Sequence, residues 1–234
     1  MAPLFLGGED HAKIAHGGDC QHGIGGLQST DSKRHGTVKR RWPPFYGEET
    51  FTITYEQTGS QSGSWVEHVR DWGNLRAEIK NLTMSMTVPG VPTQTQTQND
   101  RTIYDGNQII NINQDTGAAT ITTNPIYDNV VAAMGDSDGV EFGQAIMTQM
   151  GAQPTGETAT VAGHECAYWE LAGTRTCITP WGASLRIETS MGPVSIVRTA
   201  TEVRMGDGGP DSAFEYDPDA ATQGPDVGAI LDKL

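Results

Sequence analysis

The stretch Gly163-His164-Glu165-Cys166-Ala167-Tyr168-Trp169-Glu170-Leu171-Ala172-Gly173-Thr174-Arg175-Thr176-Cys177 constrains the fold more than any other part of the chain. It reads as two short alternating strands folded back about Leu171-Ala172-Gly173. Side chains alternate faces along a strand, so Cys166, Tyr168 and Glu170 share one face and Ala167, Trp169 and Leu171 the other. With the fold line between Leu171 and Ala172, Cys166 lies opposite Cys177. Opposed residues have Cβ atoms about 4.5–5.5 Å apart, and a disulfide needs only modest closure from there. Such a crosslink stabilises a fold by roughly 3 kcal/mol in the chain-entropy model. The alternative is two separate buried thiols.

A chain of 234 residues can bury a full core. Its modest apolar content, with abundant Gly, Thr, Gln and Asp, suits an antiparallel sheet with one wet face better than a helical bundle or a doubly wound α/β fold. No apolar run approaches the length of a membrane span. The formal net charge is −14, and it is uneven: residues 1–45 carry six Lys and Arg against four Asp and Glu. An acidic body is a poor match for phosphate backbones, so nucleic acid is not an expected partner. If Cys166 and Cys177 pair, Cys20 is left over, free or cross-linking between chains. A structural disulfide points to an oxidising compartment, hence a periplasmic or otherwise exported protein. No signal peptide is legible: Met1 to Leu6 is too short for an apolar core and runs into Gly7-Gly8-Glu9-Asp10, and Trp42-Pro43-Pro44 follows Arg40-Arg41.

Residues 1–47 have Gly pairs, few large apolar side chains and no sustained period, which predicts an irregular basic arm. His11, His16, His22 and His35 sit there beside Cys20, but their spacings match no zinc pattern, and no metal or other cofactor is expected. From Phe51 the text becomes β. Phe51–Tyr55, Trp65–Trp72, Leu75–Ile79, Leu82–Val88, Thr102–Tyr104 and Gln108–Ile112 alternate, with Asp105-Gly106 as a hairpin turn. Tyr127, Val130, Val131 and Met134, then Phe142, Ile146 and Met150, recur at spacings of three and four, predicting two short helices between about 125 and 152. Strands resume at Thr158–Ala162 and continue through Leu185–Glu188 and Val194–Val203. Residues 221–234 read as an acidic tail with a short helix at Val227–Leu234.

Catalytic patterns fail on residues their mechanisms need. His164-Glu165 begins like a zincin helix, but Tyr168 occupies the second histidine position. Asn111, Asn113 and Asp115 imitate a calcium loop, but Thr116 and Thr122 stand where Gly and Glu are required. No nucleophile elbow, phosphate loop or dinucleotide fingerprint occurs. The chain is therefore read as a non-enzyme.

Asp71-Trp72-Gly73-Asn74-Leu75-Arg76-Ala77-Glu78, Tyr104-Asp105-Gly106, the Gly163 to Glu170 hairpin with Cys177, and Ala200-Thr201-Glu202-Val203 follow one another in an order that resembles the LolA/LppX-like superfamily of exported bacterial domains, over residues 48–220. The resemblance implies a mainly β fold: a strongly curved antiparallel sheet, an incomplete barrel, with short helices covering its concave face. It also implies a non-catalytic carrier of lipid or lipoprotein acyl chains. An apolar cavity would draw on Trp72, Met84, Met86, Phe142, Ile146, Met150 and Trp169. The other reading is a rigid subunit of a larger extracytoplasmic assembly, docking on a protein partner through residues 1–47.

Overall fold

The computed structural model describes residues 43–86, 94–124, 126–192 and 194–225. Strand β1 (Phe51–Gly59) lies mid-sheet, between β2 (Gln61–Arg70) and β11 (Val194–Met205). Beyond β2 the sheet continues through β3 (Leu75–Met86), β4 (Gln94–Asp105), β5 (Gln108–Asn113) and β6 (Ala119–Thr123). Beyond β11 it continues through β10 (Ser184–Met191), β9 (Thr174–Ile178), β8 (His164–Leu171) and β7 (Gln153–Val161). A short β12 (Ala221–Gln223) adds outside β6 in parallel; the other pairings among described strands are antiparallel. Among the described residues the twelve strands form one sheet that stays open, with β7 and β12 at its ends. Helices α1 (Tyr127–Met134) and α2 (Gly139–Gln149) carry the chain from β6 to β7. Among the described residues the architecture is thus a mainly β, incomplete barrel with two α-helices.

Register shifts at Thr54/Tyr55, Pro154/Thr158 and Ser184/Arg186 supply local bends. Curvature brings side chains from both halves of the sheet together: Phe51, Ile53 and Tyr55 pack with Val69, Cys166, Tyr168, Cys177, Leu185 and Ala200 in one buried cluster.

The Cys166–Cys177 disulfide is formed, with Cα atoms 5.2 Å apart. Its register differs from the sequence reading. Leu171 pairs with Thr174 and Tyr168 with Cys177, so Ala172 and Gly173 form a two-residue turn, both at positive φ (49° and 79°). A hairpin cannot reverse between adjacent residues, and the favoured tight turn places both central residues in the left-handed region. The resulting slip is two residues. Because strand faces repeat every two residues, Cys166 and Cys177 stay on one face as diagonal neighbours.

The outer face of β3 to β6 is covered as well. Leu75, Ala77, Ile79, Ile103, Ile110 and Ile112 pack beneath Ala213, Phe214, Tyr216 and Ala221. This C-terminal strap is held by Arg70, which donates from Nε to Gly208 O (2.9 Å), pairs with Asp211 (2.9 Å) and sits 4.3 Å from the Phe214 ring. Arg101 donates to the carbonyls of Ser212 and Glu215. Ala221–Gln223, expected in the tail, is part of the sheet; the expected helix at Val227–Leu234 lies outside the described residues.

His68 anchors the strap from below. The Thr52 hydroxyl donates to Asp207 O (2.7 Å), so at 2.8 Å His68 Nδ1 must be the donor to Thr52 Oγ1, which sets the tautomer. Gly209 (φ +73°) passes so close that a Cβ there would stand 2.2 Å from Nδ1. Burial lowers the His68 pKa from its ordinary 6.5, with Arg204 and Arg70 acting in the same direction and Asp207 against them. A depressed imidazole is neutral in the fold where the unfolded chain is already protonated. Its contribution is therefore complete above pH 6.5 and lost as pH falls below that. Thermal midpoints at pH 7.5 and 5.5 are expected to differ more in the parent than in His68→Gln; equal differences would refute the assignment.

Candidate functional site

The site is built around a turn under backbone strain. Asp71, Trp72 and Gly73, between β2 and β3, all have positive φ (48°, 52° and 94°). For non-glycine residues this conformation costs roughly 1–2 kcal/mol each and persists only where surroundings enforce it. Here the turn aims the Trp72 carbonyl at the chain leading into β1, accepting from Phe45 N (2.9 Å) and Tyr46 N (3.2 Å), while Trp72 N donates to Glu49 O (3.0 Å). Gly47 N donates to Trp181 O (3.0 Å), and Asn74 Nδ2 donates to Pro43 O (3.1 Å). Residues 43–47, read from the sequence as the end of an irregular arm, are therefore packed into the body.

That segment forms one wall of a cavity of about 500 Å³. Phe45 and Tyr46 face Tyr127, Val130 and Met134 of α1 and Phe142 and Ile146 of α2. Asp138 caps α2, accepting from Val140 N (2.8 Å) and Glu141 N (3.2 Å). Gly139 follows because nothing larger fits: a Cβ would stand 1.9 Å from Pro44 O. Asn74, at the sheet rim, is buried and satisfied, donating also to Asp71 O (2.9 Å) and accepting from Tyr127 OH (2.9 Å). It locks α1 to the strained turn.

The inner wall is charged. Arg76 lies 3.5 Å from Glu67 and 3.4 Å from Glu78, donates to Tyr46 OH (3.3 Å) and sits 4.2 Å from the Tyr104 ring. Its Nε is buried without a partner. Burial, with the Glu67 charge, pushes the Tyr46 hydroxyl up to about 12, so it remains a neutral phenol. Burial likewise raises Glu67, against the pull of Arg76. On the same face of the sheet, Lys80 pairs with Glu78 (2.7 Å) and lies 4.0 Å from the Trp65 ring; Arg198 lies 3.9 Å from that ring. The arrangement offers an apolar compartment opening onto a charged floor. It contains no nucleophile with an adjacent base, and no group of His, Cys, Asp and Glu among the described residues is placed to hold a metal ion.

Of the seven residues expected around a cavity, Phe142 and Ile146 stand on this wall. Trp72 belongs to the turn that secures the lead-in segment. Met84 lies far along β3 in a separate polar cleft with Gln61, Gln96 and Gln98. Eight residues of strand separate it from Arg76, about 27 Å. Met150 ends α2 and is 66 % exposed. Trp169 borders a third hollow with Gln144 and Pro180. The Met86 side chain lies outside the described residues, as do Cys20 and the histidines of the arm. The structure therefore does not gather the seven. Tyr127, Val130 and Met134 were visible as a helical stripe; Phe45 and Tyr46 had no periodic signal at all.

Sheet and cavity together define an open, curved β-barrel protein with a helix-walled compartment. No family model matches the chain, and no curated protein matches it. Among solved structures, an uncharacterized conserved protein from Thermus thermophilus is similar at 11% identity, over 76% of this chain and 91% of that one, with a TM-score of 0.47. MucB is similar at 10% identity, over 73% of this chain and 58% of its own, with a TM-score of 0.40. The MucA/MucB complex of Pseudomonas aeruginosa gives 11% identity, 72% and 56% coverage, and a TM-score of 0.36. These likenesses assign no function. Among the described residues no helix is long and apolar enough to cross a membrane.

Proposed function

We propose that the protein is a non-catalytic, exported binding protein of the LolA/LppX-like kind, which holds a lipid or acylated ligand between sheet and helices. The observation that carries this reading is the cavity of about 500 Å³, walled by Phe45, Tyr127, Val130, Met134, Phe142 and Ile146. Its size and apolar walls, with a few polar groups at one end, are those of small-ligand sites. The disulfide supports delivery to an oxidising compartment.

A fluorescent fatty acid is expected to bind saturably, with affinity rising by up to about 0.8 kcal/mol per buried methylene as the chain lengthens. Ile146 is 39 % exposed at the cavity edge, so a carboxylate introduced by Ile146→Glu can reach water and the fold should hold. Binding should be lost, because the charge faces the acyl chain. Circular dichroism and a titration on the same sample check both halves. Absence of saturable binding by the parent protein would sink the carrier reading and leave a rigid interaction module.

A further inference from the structure

We propose that the inner face of the sheet beside the cavity carries an anion site centred on Arg198, and that the ligand is an amphiphile with a carboxylate or phosphate head. The inference rests on the carrier reading and names the class of its ligand. Among the described arginines, Arg198 alone makes neither an ion pair nor a hydrogen bond. Arg70, Arg76, Arg175, Arg186 and Arg204 pair with carboxylates, and Arg101 donates to two carbonyls. Arg198 instead lies over aromatic rings, 3.9 Å from Trp65 and 5.0 Å from Tyr55, with Nε buried and unpartnered. Arg198 is half-buried, but its buried Nε–H has no acceptor, which is costly, and an anion bound there would supply one.

The neighbouring carboxylates are already engaged. Glu67 contacts Arg76 (3.5 Å) and Tyr55 OH (3.3 Å) and feels the Arg198 charge without an ion pair to it, Glu78 is held by Lys80 (2.7 Å) and Arg76, and Asp100 accepts from Gln98 (2.9 Å). Lys80, 4.0 Å from the Trp65 ring, places a second cation beside the same indole. Arginine offers paired donors in a planar fork that matches carboxylate and phosphate oxygens. The position suits a head whose tail lies in the cavity. Val69 pairs with Arg76 and Trp65 with Lys80, so Arg76 on the cavity wall and Lys80 beside Trp65 share one face of β3. They are about 13 Å apart along the strand, within the length of a long acyl chain.

The test is competition against a bound fluorescent fatty acid, at neutral pH and low salt, by hexadecanoic acid, hexadecyl phosphate and hexadecanol on the full chain. At least one anionic competitor is expected to displace the probe at about tenfold lower concentration than the alcohol, the range of a charge-assisted hydrogen bond. Preference for the acid would identify a free fatty acid head, and preference for the phosphate a phosphorylated one. Arg198→Met keeps an apolar stem over Trp65 and is expected to reduce anion affinity to that of the alcohol while leaving the alcohol unchanged; Arg198→Lys should retain part of the preference. If acid, phosphate and alcohol compete equally in the parent, or if Arg198→Met leaves the preference intact, the anion site is wrong and the carrier reading stands. If the probe itself does not bind, the carrier reading fails and the site with it. Should Arg198→Met not fold, the comparison of competitors on the parent and Arg198→Lys still decides.

Discussion

Phe51→Ala is expected to destabilise the fold by about 3–5 kcal/mol, the largest effect of any single substitution considered, because it empties the centre of the inner core. Phe51 has no exposed surface. Its ring meets Tyr46 edge-on at 5.2 Å and Trp181 at 4.8 Å, and its backbone lies between Val69 of β2 and Met205 of β11. These partners come from the lead-in segment, from the turn after β9 and from both neighbouring strands, so no single movement closes the void. Tyr46 also lines the cavity, so acyl binding should weaken in any molecules that remain folded. Urea denaturation measures the loss directly. A change below about 1 kcal/mol would show that the site collapses around the smaller side chain.

Removing the disulfide comes next in size. Cys166→Ala with Cys177→Ala is expected to cost about 3 kcal/mol, from the freedom restored to the unfolded chain. The crosslink joins residues 11 apart in sequence, and both cysteines are buried, Cys177 completely. For a domain of this size the thermal midpoint should fall by roughly 6–12 °C. Urea denaturation of parent and double variant measures the loss, and the m-value is expected to rise because the unfolded chain without the crosslink exposes more surface. An unchanged midpoint would mean that the hairpin is held by its other contacts, such as Arg175 over the Tyr168 ring at 3.7 Å.

Much of the fold was legible because it is written in short-range periods. Alternation marked β1, β3, β5 and β8; spacings of three and four marked α1 and α2. The cysteines identified their own partner, since a two-residue slip of the hairpin changes their register but not their face. Turn chemistry is local, and so is the reading of it.

Which face of a strand is inside is not local. Leu75, Ala77 and Ile79 alternate with Arg76, Glu78 and Lys80, and by pattern alone the charged set belongs in water. In the structure the charged set shares the sheet face of Val69 and its buried cluster, and the apolar set lies under a strap contributed by residues far along the chain. The strap, with its Gly and Pro and its acidic residues, carries no period that could announce this. The candidate site was hidden for the same reason. Phe142 and Ile146 could be seen as a helical stripe, but Phe45, Tyr46 and Arg76 meet, and Arg198 comes to lie over Trp65, only once the sheet has formed. Local sequence determined which segments became strands, helices and turns, because those choices depend on neighbours a few residues away. Tertiary structure decided what those segments enclose, because curvature brings together side chains that no period in the sequence relates.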